Sequence, residues 1–202
     1  MRTLVIDTAT RACSVALFED GQLLAGHHEI IGRGHAERLL PLIAGLPDNG
    51  KANGIMVDVG PGSFTGIRVG LAAAKALGLA WNIPVQGYGC LALVSAMARH
   101  QIGHPEKVDV VMAGGHGEYF FEAFDASGAS IAPAVSLAPD RLPTVTTASW
   151  IAGDIAAATS DCRWIETLPD ARQWVHLPDG TALPPTAIYG RAPDAKPALA
   201  RT

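Results

Sequence analysis

Cysteine is scarce in this chain of 202 residues. Cys13, Cys90 and Cys162 are odd in number, far apart, and form no Cys-x-x-Cys pair. That excludes a disulfide framework or a zinc knuckle, and a reducing cytoplasm is the expected compartment. Charge is sparse as well. Charged residues make up 17% against 49% hydrophobic, which excludes a disordered or acidic-tail protein. There is no basic excess: the formal net charge is −4. Residues 1–102 hold 8 basic and 7 acidic side chains, whereas residues 103–202 hold 7 and 12. Without a basic stripe, independent binding of RNA or DNA is not expected. A long hydrophobic run is also missing. Mean hydropathy is +0.22, but the most apolar stretch, Val69 to Trp81, is too short to cross a bilayer and carries Lys75. Asp7 interrupts the start before any signal-peptide core could form.

The apolar patterning predicts an α/β protein. Thr3–Asp7 and Ser14–Glu19 read as strands, and Asp20-Gly21 closes a hairpin into Gln22–Ile30. A helix follows from about Ala36 with Leu39, Leu40, Leu42 and Ile43 as its apolar face. Gly54–Val59 reads as a buried strand, Phe64–Trp81 as a long helix stopped by Pro84, Val85–Tyr88 as a strand and Leu91–Arg99 as a helix. The order βββαβαβα implies a sheet antiparallel in its first hairpin and parallel afterwards. A second unit begins near Gly103, with strands expected at Val108–Met112, Tyr119–Asp125, Ile131–Leu137 and Trp150–Ile155, and an irregular tail from Pro178. The expected domains are 1–102 and a smaller 103–202.

The strongest local signal is Gly60-Pro61-Gly62-Ser63-Phe64-Thr65-Gly66 between a buried strand and the long helix. A phosphate-binding loop needs a lysine where Ile67 stands, and the dinucleotide fingerprint needs one residue fewer before Gly66. Two readings stay open: an anion site at the helix start, or a tight turn capped by Ser63 or Thr65. Asp7-Thr8-Ala9-Thr10 is similar to the phosphate turn of actin-like kinases, with Ala9 where glycine is wanted; Asp7 acting as a local bridge is the alternative. His100 and His104 have the spacing of a two-histidine metal motif, but Gln101 replaces its general base and Gly103 and Pro105 break the helix. No Gly-x-Ser-x-Gly elbow and no marked pair of carboxylates is present. The long helix is apolar or small nearly all round, so one face is expected to pack on the sheet and another on a partner.

The string Gly60–Gly66 with Ile67-Arg68-Val69-Gly70, together with Ile6–Thr10, Cys13–Leu17, His35–Pro41 and Tyr189–Lys196, resembles the bacterial TsaB family. The resemblance is dense over residues 1–100 and sparse between 126 and 184. It implies an actin-like (ASKHA, ribonuclease H-like) two-lobe fold with mixed sheets and a reduced second lobe. It also implies a non-catalytic subunit that activates or scaffolds a larger TsaD-like paralogue during threonylcarbamoyl transfer to the tRNA adenosine 3′ of the anticodon. The metal-binding histidine pair of that paralogue falls on Cys90 and Val94, which cannot reproduce it, so no metal and no cofactor are expected. The implied partners are the TsaD-like paralogue and a TsaE-like ATPase. A homodimer is expected when the chain is alone, with tRNA met only through the complex. Arg38, Leu39, Leu42, Ile67, Arg68, Leu71 and Lys75 are the expected interface. Ala113, Gly114 and Gly115 depart from the Asp-Ala-Arg usual in the family before its Gly-Glu pair. The competing expectation is an actin-like-fold phosphotransferase or a glycoprotease-like metalloenzyme.

Overall fold

The computed structural model describes residues 1–103, 106–155 and 162–190. The first lobe is a five-stranded sheet built from β1 (Arg2–Asp7), β2 (Ala12–Glu19), β3 (Gln22–Ile30), β4 (Gly54–Asp58) and β5 (Val85–Tyr88), in the order β3-β2-β1-β4-β5. The hairpin strands are antiparallel, and β1, β4 and β5 run parallel, as the element order predicts. The crossovers are α1 (His35–Ala44) and α2 (Phe64–Trp81).

Strand alternation divides the sheet into two apolar faces. Leu4, Ile6, Val15, Leu17, Ile55 and Val57 meet Leu39, Leu42 and Ile43 of α1 and Ile67, Leu71 and Ala74 of α2 in one core. Val5, Ala16, Phe18, Met56 and Tyr88 point the other way. They are covered by Leu93 of α3 (Cys90–Ile102) and by a 3-10 segment, Ala171–His176, whose Trp174 ring meets Phe18 edge-on at 5.5 Å.

The second lobe repeats the first in its strand order. β6 (Val108–Ala113), β7 (Tyr119–Phe124), β8 (Val135–Leu137), β9 (Trp150–Gly153) and β10 (Arg163–Glu166) lie as β10-β9-β6-β7-β8. β6 is central, β7 and β8 are antiparallel, and β9 and β10 are parallel additions. This is a two-lobe, actin-like α/β fold with a reduced second lobe: where the first lobe has the ten-residue α1, the second has only α4 (Leu142–Val145). α3 packs on β6, β7 and β9, so it serves both sheets.

Boundaries of the first lobe agree with the sequence reading to within three residues. The second lobe differs more. The strand expected over Ile131–Leu137 begins only at Val135, after an exposed bend at Ile131 and Ala132 and the exposed Pro133, which has no amide to give a ladder. The Trp150–Ile155 segment ends as strand at Gly153, and β10 was not anticipated. The tail from Pro178 is irregular in form but anchored: Leu183 exchanges two backbone hydrogen bonds with Gly87 of β5, and the Ile188 amide donates to Val59 O. No helix among the described residues is long and apolar enough to cross a membrane.

Candidate functional site

Two turns meet where the parallel strands of the first lobe end. One follows β1 (Thr8–Arg11) and the other follows β4 (Val59–Ser63) into α2, with a cis Gly60–Pro61 peptide. They touch backbone to backbone. The Ser63 amide donates to Ala9 O at 2.6 Å, and the Thr8 hydroxyl donates to Gly66 O at 2.7 Å. A Cβ on Gly62 would overlap the Ala9 carbonyl oxygen, and one on Gly66 would overlap that of Thr8. Glycine at these two positions is therefore a requirement of close approach. Ser63 Oγ accepts from the Gly66 amide at 3.2 Å and caps α2. Of the two readings of the Gly60–Gly66 turn, the geometry is that of the capped, protein-filled one.

Behind the turns lies a row of buried polar side chains, of which the sequence marked only Asp7. Register places Asp7 beside Ser14, and Asp58 beside Tyr88, while the β1–β4 pairing ends at Ile6 and Val57 and so leaves Asp7 and Asp58 as neighbours. All four are buried on the face covered by α3 and the Ala171–His176 segment. The Tyr88 hydroxyl donates to Asp7 Oδ2 at 3.0 Å, Asp58 Oδ1 accepts from the Gly60 amide at 2.6 Å, and Ser14 Oγ accepts from the Ala171 amide at 2.9 Å. Burial pushes the Asp7 carboxyl up. Burial, and then the charge of Asp7, push Asp58 well above the usual carboxylate range. The thiol of Cys90, close to Asp58, is raised by burial and then by the charges of Asp58 and Asp7. A thiol held protonated in this way is a poor nucleophile. The signal that could have revealed the row is that two apolar strands, Val5-Ile6-Asp7 and Met56-Val57-Asp58, both finish in aspartate.

The expected interface residues divide into two groups. Leu39, Leu42, Ile67 and Leu71 are buried in the chain's own core, none more than 6% exposed, because that stripe is the one α1 and α2 need to cover the sheet. This corrects their assignment as docking residues. Arg38, Arg68 and Lys75 are exposed. Arg38 Nε is bonded to Glu29 Oε2 at 2.6 Å. Arg68 lies 3.6 Å over the Phe64 ring and donates to the Tyr189 hydroxyl, and Phe64 and Tyr189 stand 4.7 Å apart. Along its middle and end α2 turns Arg68, Ala72, Lys75, Ala76, Leu79 and Ala80 outward, and Ala36, Leu40 and Ala44 are exposed on α1. Leu79 is 85% exposed and Leu40 53%. Periodicity had found both helices and, apart from Leu40, the inner face of α1, but not which face of α2 is spent on the core.

Of the histidine pair, His104 lies outside the described residues, while the His100 ring stacks on His176 at 3.7 Å. Residues 191–196 of the family-like terminal string also lie outside them. Val94 is buried in the core. Among the described residues no group of three His, Cys, Asp or Glu could hold a metal ion.

Residues 27–160 match the family described as TsaD, tRNA N6-adenosine threonylcarbamoyltransferase. The chain is 44% identical over 96 residues to the tRNA threonylcarbamoyladenosine biosynthesis protein TsaB of Escherichia coli (strain K12), covering 45% of this chain and 41% of that protein. For the TsaB protein of Haemophilus influenzae the corresponding share of the relative is 51%, so the chain spans about half or less of these relatives' length. An uncharacterised protein of Mycobacterium tuberculosis (strain ATCC 25618 / H37Rv) is 32% identical over 207 residues, covering 96% of this chain and 93% of its own. Among solved structures, YeaZ from Pseudomonas aeruginosa superposes with a TM-score of 0.79 at 26% identity, covering 93% of this chain and 99% of that one. The residues that resemble TsaB, the matching two-lobe fold and the family match over residues 27–160 lead to one assignment: the chain belongs to the TsaD family of tRNA threonylcarbamoyladenosine proteins, on its TsaB side.

Proposed function

We propose that this chain is a non-catalytic, cytoplasmic subunit of tRNA threonylcarbamoyladenosine biosynthesis. It docks on a larger TsaD-like paralogue and supports threonylcarbamoyl transfer to the adenosine 3′ of the anticodon. In this reading residues 1–102 form the docking lobe and residues 103–202 the smaller lobe. The observation that carries it is the outward face of α1 and α2: Ala36, Leu40, Ala44, Ala72, Ala76 and Leu79 leave an apolar, small-residue surface beside Arg68 and Lys75. Small side chains let a partner helix approach closely, and a contiguous apolar patch of this kind marks an interface.

The filled turn supports the non-catalytic part of the reading. A phosphate approaching α2 would meet the carbonyl oxygens of Thr8, Ala9 and Gly66 and the acidic pair behind them, and the Gly66 amide is already taken by Ser63. Acceptors and negative charge repel an anion that a helix start would otherwise attract. The same α1–α2 surface serves a homodimer when the chain is alone, while a TsaE-like ATPase and tRNA join only through the complex. Co-purification with the TsaD-like paralogue at physiological salt tests the proposal. A stoichiometric complex is expected, lost in Ala76→Glu; no complex, or tight ATP or metal binding by the isolated chain, would favour the phosphotransferase or metalloenzyme alternative.

A further inference from the structure

The polar row Ser14–Asp7–Asp58–Tyr88 has no task in docking, and its hydrogen bonding is incomplete in an informative way. Asp7 is fully buried and Asp58 is 1% exposed. Tyr88 and the Ala9 amide donate to Asp7, and the Gly60 amide donates to Asp58 Oδ1. Asp58 Oδ2 is buried with no donor. Yet Asp7 and Asp58 directly follow the last paired residues of β1 and β4, Ile6 and Val57, so the register leaves the two buried carboxyl groups as neighbours. Two carboxylates are both acceptors and cannot bond; one carboxylic acid and one carboxylate can.

The surroundings argue the same way. Among the described residues, neither carboxylate forms an ion pair with a cation. The titratable groups that face the pair are Tyr88 from β5, Cys90 from α3, and Asp170 from the chain entering the Ala171–His176 segment; Cys13, on the other face of β2, feels the charge of Asp7, and Asp154 at the end of β9 acts on Cys90. Asp170 is itself bound to Arg172 at 2.7 Å. Every ionised member of this set is negative, so nothing offsets a second charge on the pair.

We propose that Asp7 and Asp58 share one proton in the folded chain, forming an acid–carboxylate clamp that joins β1 to β4 and holds the Gly60–Gly66 turn, and that folding takes up this proton from water at neutral pH. Through Gly60 the clamp is one residue from Pro61 and four from the first residue of α2, so it fixes where that helix starts. The inference is independent of what docks on α2.

The sign follows from linkage. Unfolded, both side chains ionise near about pH 4. A group whose folded-state pKa is raised contributes its stability below the unfolded value and loses it as pH rises towards the folded value. With one more proton bound in the folded state, the unfolding constant rises about tenfold per pH unit over that window. Asp58→Asn supplies the missing donor without a titrating proton. The expected result is a ratio of wild-type to Asp58→Asn unfolding constants that climbs about tenfold per unit between about pH 5 and 7. A flat ratio overturns the proposal. The wild-type protein provides a second readout that does not depend on the variant folding. Its infrared spectrum at neutral pD should retain the carbonyl stretch of a protonated carboxyl group, and a spectrum without that band overturns the proposal equally.

Discussion

At the scale of single residues, the Gly60–Gly66 string works as a contact surface for backbone. Gly62 and Gly66 admit the carbonyls of Ala9 and Thr8, and Ser63 closes the first turn of α2. Gly62→Ala and Gly66→Ala should each destabilise the fold by about 2 kcal/mol or more, since backbone rather than a pliable side chain has to move. Ser63→Ala should cost about 1 kcal/mol, the usual loss of a helix cap. Urea unfolding of the three variants measures both figures, and equal losses would contradict the difference in mechanism. The role of these residue types was legible in part: glycine beside serine at a strand-to-helix junction announces a turn and a cap. Their partner, the Thr8–Ala9 backbone, was not, because the contact joins segments more than fifty positions apart. Asp58 was missed for the same reason. A lone aspartate ending a strand looks ordinary until parallel register sets it beside Asp7.

At the scale of elements, α1 and α2 show what periodicity settles and what it leaves open. The helices and their first-lobe neighbours were readable because long apolar patterns meet clear stops at Gly45 and Pro84. The choice of inner face was not, since Ala, Leu and Gly run round most of α2. Packing decides it: Leu71 belongs to the core and Leu79 to the surface. Leu71→Ala should cost about 2–5 kcal/mol of stability. Leu79→Glu should change stability by no more than about 0.5 kcal/mol while weakening the paralogue complex. Thermal melting paired with a pull-down separates the two effects. In the second lobe four strands were readable at least in part, and only β10 fell below what a sequence pattern can carry. Arg163-Trp164-Ile165-Glu166 has a single buried residue, Ile165, to mark it as β10.

At the scale of the whole molecule, the Ala171–His176 segment leaves the second lobe to cover the underside of the first sheet. Trp174→Ala should open that face to solvent and increase binding of an apolar dye, with destabilisation of about 2 kcal/mol. The same segment brings His176 against His100, where burial, followed by the facing imidazole, holds the His176 pKa below its ordinary value. A depressed folded-state pKa means the contribution is complete above the unfolded value of about 6.5 and is lost as pH falls through the folded one. His176→Phe should therefore resist acidification from pH 7 to 5 better than the wild type, as followed by thermal melting. Together with the carboxyl pair, this gives the chain two opposed sensitivities, one to acid and one to alkali.

The bridge between Gly87 and Leu183 has a further bearing on behaviour in a crowded solution. β5 is the outer strand of its sheet, and an open strand edge invites a neighbouring chain to continue the ladder. Leu183 uses the Gly87 donor and acceptor, and Val59 O is taken by the Ile188 amide. The proline-rich stretch that follows cannot itself extend a sheet, because proline has no amide to offer. A chain cut before residue 183 should thus keep both lobes yet form β-rich aggregates on standing, visible as rising light scattering. On this account the tail is a guard against self-association through the β5 edge.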